Sequence, residues 1–248
     1  MKPIVPHEHG GWALVSVPFL LGMAVGGPTW LHLPLFLAWL FFYLAAYPFR
    51  MALARRGNRR DGRRLLRWAF GYWTAGMVFA IPPLVHFPSL LWAGPVLGAL
   101  LAVNAWYAYR RNERSFVNDV CAILAFSIGG VASYVVGAGT WDAMALWVAG
   151  LCVLYFVGSV FFVKTVFRER KNARWLRASK GYHTLLVVAL GIVEPLLVLP
   201  YAFSAARAFA WGGKAMRPLH VGLIEIAGSV LFLLLSAIVL RVTNLPTL

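Results

Sequence analysis

The chain has 248 residues, of which 61% are apolar, 15% aromatic and only 12% charged. That charged share is about half that of a soluble domain, and a water-soluble fold of this size has no interior large enough to hide so much apolar surface. With 23 basic against 8 acidic residues and a formal charge of +15, these proportions exclude a soluble enzyme, a disulfide scaffold and a disordered chain, and they point to a multi-pass membrane protein.

A helix crosses the hydrocarbon with about 20 mostly apolar residues. Ahead of the first such window stand Lys2, Pro3 and His7-Glu8-His9. No signal-peptide pattern is present there, so the helices themselves are expected to drive insertion. His7 to Trp12 reads two ways. Two histidines around a glutamate, before a glycine pair, could hold a metal or a phosphate, although HxH offers at most two ligands. Equally, polar groups at headgroup level with Trp12 as an anchor describe an ordinary interfacial segment. Apolar windows then follow at 10–27, 30–49, 66–85, 89–108, 116–138, 143–163, 184–205 and 221–240. The sequence therefore predicts an all-α, polytopic transmembrane bundle of about eight helices in one domain, residues 1–248. Glycines inside the windows allow close helix approach, and Pro18, Pro82, Pro83, Pro95 and Pro195 are expected at kinks or helix ends.

The basic residues alternate between the connections. After the second window come Arg50, Arg55, Arg56, Arg59, Arg60, Arg63, Arg64 and Arg67; after the fourth, Arg110, Arg111 and Arg114. After the sixth come Lys164, Arg168, Arg170, Lys171, Arg174, Arg177 and Lys180. With Lys2 and Arg241 this places 20 on one side, against Arg207, Lys214 and Arg217 on the other. The positive-inside rule then predicts a plasma (inner) membrane protein with both termini in the cytoplasm. Such clusters also attract anionic lipid. Nucleic acid is not an expected partner, since no soluble domain remains to bind it. Cys121 and Cys152 lie inside apolar windows and read as small buried residues.

Three further segments could carry chemistry. In the first, Asn104 lies inside the fourth window, where its amide needs a partner in the bundle, and Asn118 and Asp119 open the fifth. Helix capping accounts for the last two as well as ligand binding does. In the second, a sixth helix continued past its window would put Lys164, Arg168 and Lys171 on one face at i, i+4 and i+7. Guanidinium and ammonium together suit a phosphate, and equally a lipid surface. His183 beyond them could move a proton or simply sit at the interface. In the third, Glu194 beside Pro195 falls ten residues into the seventh window, near mid-depth. A carboxylate there is expected to be protonated or paired and to face the bundle, where it would either serve function or only bond the backbone of a kinked helix, and Glu225 is a shallower case. No histidine pair suits a mid-membrane haem, and Walker, GxGxxG, GxSxG and HExxH patterns are missing. No metal and no cofactor are expected.

His9-Gly10-Gly11-Trp12-Ala13, Tyr47-Pro48-Phe49, Asn112-Glu113-Arg114, Asn118-Asp119, Lys164-Thr165 with Arg168-Glu169, and Tyr182-His183 resemble the YwiC-like family of bacterial membrane proteins. The helix order is also similar, more distantly, to that of the UbiA-type intramembrane prenyltransferases. Those enzymes usually have nine helices and hold a prenyl diphosphate through Mg²⁺ and aspartate-rich motifs after helices two and six. Here the matching stretches, Tyr47 to Arg56 and Phe162 to Arg170, carry Glu169 as their only carboxylate. The resemblance implies a cytoplasm-facing pocket in which cations replace the metal. Its ligand would be an anionic isoprenoid or lipid (di)phosphate, in a divergent, metal-independent relative of the prenyltransferases. Lys164, Arg168 and Arg50 would meet phosphate; Asn104, Asn118 and Asp119 would orient the ligand; His9 or His183 would move protons. The competing expectation is a non-enzymatic protein, either a proton-linked transporter using Glu194 or an assembly factor for a respiratory complex.

Overall fold

The structure, a computed structural model, describes residues 3–6, 9–55 and 59–243, without the side chains of residues 9 and 59. Among the described residues there are nine α-helices and no strand. Two compact units divide the chain, Met1–Trp141 and Asp142–Leu248. Six helical stretches are long and apolar enough to cross a membrane: His32–Ala54, Arg60–His86, Pro88–Tyr109, Phe116–Ala138, Ala143–Val166 and Pro218–Val242.

The first unit holds α1 (His9–Gly26), α2 (His32–Ala54), α3 (Arg59–His86), α4 (Ala93–Tyr109) and α5 (Phe116–Ala138), with a 3₁₀ turn at Pro88–Trp92. Side-chain registers fix the directions. Trp12 meets Tyr43 and Phe19 meets Phe36, so α1 and α2 are antiparallel. Phe41 stacks on Phe79, and Phe42 lies beside Gly76, across the antiparallel α2–α3 pair. Helices α1 and α5 run parallel and touch backbone to backbone. Gly22 faces Gly130 and Tyr134, while Gly26 faces Tyr134 and Ala138. A side chain at any of these glycines would push the pair apart, as expected of small-residue packing in a bilayer. All Lys and Arg side chains described in this unit gather where α2 and α4 end and α3 and α5 begin. The opposite end carries the exposed Trp30, Trp92 and Trp141, the aromatic signature of a membrane–water boundary.

The second unit holds α6 (Ala143–Val166), α7 (Ala173–Val193), α8 (Leu199–Trp211) and α9 (Pro218–Val242). Asp142 starts α6 by accepting the Met144 N–H at 2.9 Å, and Asn172 starts α7 by accepting that of Arg174 at 3.1 Å. The seventh window is where structure and sequence reading differ. It is not one span but the junction of two helices. Proline drives the residue before it out of the helical region, and Glu194 is extended (φ −158°, ψ 114°). Its carboxylate accepts the Leu196 N–H at 3.2 Å and so caps the 3₁₀ turn Pro195–Val198. The chain then reverses: Gly191 lies against Val198, His183 meets Ser204, and Gly212 and Gly213 lie against Leu176.

Helices α8 and α9 are antiparallel in turn, with Phe203 against Gly228 and Tyr201 against Phe232. Tyr201 donates to the Leu151 carbonyl (2.8 Å) and Arg207 to Ser159 (2.8 Å), so α8 runs parallel to α6. The unit is thus an up-down-up-down four-helix bundle. In consequence Arg207, Lys214 and Arg217 share the end of the unit that carries Lys164 to Lys180, instead of the opposite end as the eight-window count required. His220, in the first turn of α9, lies at the same end. Arg241, at the close of α9, stands at the other end.

Candidate functional site

At the basic end of the first unit, α4 and α5 bring Asn104 and Asn118 together. Both are buried. The Asn104 amide lies 3.4 Å from the Asn118 carbonyl oxygen, and the Asn118 amide donates to the Glu113 carbonyl at 2.6 Å. Asn118 does not cap α5. Ser115 occupies that position, and Asn118 instead reaches back to tie down the 110–115 turn. Its Oδ1 and the Nε of Arg50, four residues from the end of α2, are buried without hydrogen-bond partners. Asp119 is half-buried in the first turn of α5, where a carboxylate faces the positive end of the helix. His9 opens α1, but its side chain lies outside the described residues, as do His7 and Glu8.

In the second unit the expected basic face does not form as drawn. Helix α6 stops at Val166; the Glu169 N–H closes on the Lys164 carbonyl at 2.8 Å, and the chain turns. Lys164 therefore remains on α6 and half-buried, whereas Arg168 and Lys171 meet through the turn. There a depression of about 640 Å³ opens, lined by Arg168, Lys171, Asn172, Ala173, Arg174 and Arg177. Glu169 is held by Asn172, whose amide donates to it at 2.8 Å. Asn172, Ala173 and Arg174, at the start of α7, are in the same wall as Arg168, Lys171 and Arg177.

Sequence reasoning missed the most connected polar group of this unit. Arg207 on α8 is completely buried and paired with Glu225 on α9, whose side chain is 18% exposed. Ser159 on α6 donates to the other carboxylate oxygen and accepts from Arg207 at 2.8 Å. Arg207 also reaches Ser204 at 3.3 Å, and Ser204 meets Nε2 of His183 on α7 at 3.2 Å. Nδ1 of His183 lies 2.7 Å from the Ser179 carbonyl, which can only accept. Nδ1 is therefore the protonated nitrogen, and Nε2 receives the Ser204 hydroxyl proton. The guanidinium sits over the rings of Tyr155 (5.6 Å) and Phe162 (5.1 Å). All four helices meet here. At a rise of about 1.5 Å per residue the cluster lies roughly 6–15 Å inward from the basic helix ends. Of the residues singled out in the sequence it includes His183 and Glu225. The legible signal was an arginine inside the apolar run Leu199–Trp211 with an acid, Glu225, in the next apolar run.

The YwiC-like protein family matches residues 5–134. A Bacillus subtilis protein named "Uncharacterized protein YwiC" is 38% identical over 238 residues, covering 94% of this chain and 96% of its own. An uncharacterized protein from Haemophilus influenzae is 34% identical over 240 residues, covering 95% of this chain and 98% of its own. No solved structure matches the chain. Shared length and identity at this level settle kinship: the chain belongs to the YwiC-like family.

Proposed function

We propose that this protein is a plasma-membrane protein whose basic helix ends face the cytoplasm, and that the depression between α6 and α7 binds an anionic isoprenoid or lipid (di)phosphate without a metal. The observation that carries this reading is the lining of that depression: Arg168, Lys171, Arg174 and Arg177 around the first turn of α7. A diphosphate needs its charge neutralised and its oxygens hydrogen-bonded; guanidinium groups do both, and do so bidentately. The cluster lies at a helix end beside apolar spans, where phosphate groups of lipids also lie. Arg168 keeps the role expected of it, and Lys171, Arg174 and Arg177 join it in place of Lys164. The likeness to UbiA-type enzymes motivates the choice of an isoprenoid, although the aspartates that hold Mg²⁺ there have no counterpart here.

Geranyl diphosphate titrated into the purified protein, with and without EDTA, tests the reading. Binding is expected to persist in EDTA and to weaken as salt rises. Arg168→Ala with Arg174→Ala should weaken it at least tenfold, the scale of one lost charge-assisted hydrogen bond, about 1.5–3 kcal/mol. Binding that requires Mg²⁺, or that ignores the double substitution, overturns it.

A second reading, a proton-linked carrier, draws on a different observation. Glu194 serves as a cap at a helix break, so a carrier would have to use a different acid, and Glu225 is paired across two helices.

A further inference from the structure

The Arg207–Glu225 pair is asymmetric. Arg207 has no exposure, while its acid partner is partly open, so anything approaching the pair meets Glu225 first. The guanidinium has committed its terminal nitrogens to Glu225, Ser159 and Ser204. Its Nε–H is buried and has no hydrogen-bond partner, which leaves a spare donor on a planar fork made for oxyanions. The other titratable side chains turned to the pair are Tyr155 from α6 and His183 from α7; among the described residues, α8 and α9 add no further charge at this level.

Charge conservation then constrains what this group can bind. A guanidinium inside an apolar bundle is not deprotonated and must keep a counter-charge. While Glu225 is ionised it fills that role and repels a second anion. Once Glu225 is protonated, Arg207 requires another anion, and the neutral carboxyl no longer excludes one. We propose that the Arg207–Glu225 pair is a proton-coupled oxyanion site, in which a singly charged phosphate-like, sulfonate or carboxylate group takes Arg207 as Glu225 takes up one proton. The net charge of the site stays at zero in both states, which is the condition for occupying a low-dielectric interior. Ser159 follows the exchange: its hydroxyl donates to Glu225 now and is released to the incoming oxygen when the carboxyl is neutral. The proposal does not rest on the α6–α7 depression.

Methanesulfonate is the probe, because it carries a single negative charge throughout pH 5 to 9. It is added to the purified full-length Arg168→Ala/Arg174→Ala protein in weak buffer, which weakens the depression as a competing site, while a pH dye follows proton uptake. About one proton taken up per methanesulfonate bound is expected, with affinity rising as the pH falls, by up to about tenfold per unit. Glu225→Gln keeps the size and an acceptor oxygen; it should bind methanesulfonate with no proton uptake and no such pH dependence. Methanesulfonate binding without proton uptake, equal uptake in Glu225→Gln, or no methanesulfonate binding between pH 5 and 9 each overturns the proposal. Failure here leaves the geranyl diphosphate titration of the depression standing as a separate result.

Discussion

Arg207 shows what one residue does when the bilayer is the solvent. It is held by an ion pair, two serines and two aromatic faces, and removing one partner leaves the other charge without compensation. Arg207→Leu is therefore expected to destabilise the protein by about 3–5 kcal/mol, whereas Arg207→Leu combined with Glu225→Leu should recover most of that loss. Unfolding of the detergent-solubilised proteins measures both; a double variant no more stable than the single one would show that the pair contributes through packing alone. Arg207 was hidden from the sequence reading by length. A window of about 20 residues closes at position 205, and an arginine just beyond reads as a loop cation. Glu194 is the opposite case: an acid inside a window of that length looks embedded, and of its two readings the geometry matches the one in which it only bonds backbone, as a cap beside Pro195. Glu194→Gln keeps an acceptor oxygen and should leave stability unchanged, but Glu194→Ala should cost about 1 kcal/mol, the usual worth of a cap.

At the scale of elements, the long apolar windows were legible because length and composition alone determine them. The stretches 116–138 and 143–163 reappear as α5 and α6 with ends that agree or nearly agree. The close approach of α1 to α5 was legible only as an abundance of glycine, since which glycines touch backbone depends on register between helices far apart in sequence. The structure separates them. Gly22, Gly26 and Gly130 face backbone of the partner helix, while Gly98 on α4 has open space at its missing Cβ. Gly130→Ala and Gly22→Ala should each destabilise by about 1–3 kcal/mol through overpacking. Gly98→Ala should be neutral or stabilise by up to about 1 kcal/mol through helix propensity. A melt in which all three behave alike would mean that the α1–α5 contact contributes nothing. The basic face drawn through Lys164, Arg168 and Lys171 failed for a related reason: it assumed that α6 continues, and the helix ends at Val166.

At the scale of the molecule, the Glu194–Pro195 break changes where the chain ends. Antiparallel packing in the second unit puts the close of α9 at the end opposite its basic run. Within that unit, Arg207, Lys214 and Arg217 join the end that carries Lys164 to Lys180, and Arg241 leaves it. The eight-window count gave 20 against 3, and its agreement with the positive-inside rule rested on placing an even number of spans. Helix α8 is short, but with the preceding 3₁₀ turn it advances about 28 Å, close to the hydrocarbon thickness of about 30 Å. Under the proposed orientation the N-terminus is cytoplasmic and the C-terminus lies outside. Reporter fusions decide the matter. Alkaline phosphatase joined after Thr243 should be active and GFP there dark, and the reverse should hold for fusions at Lys214. The opposite pattern would return Glu194 to the interior of a single span, and with it the even helix count and the carrier reading built on that residue.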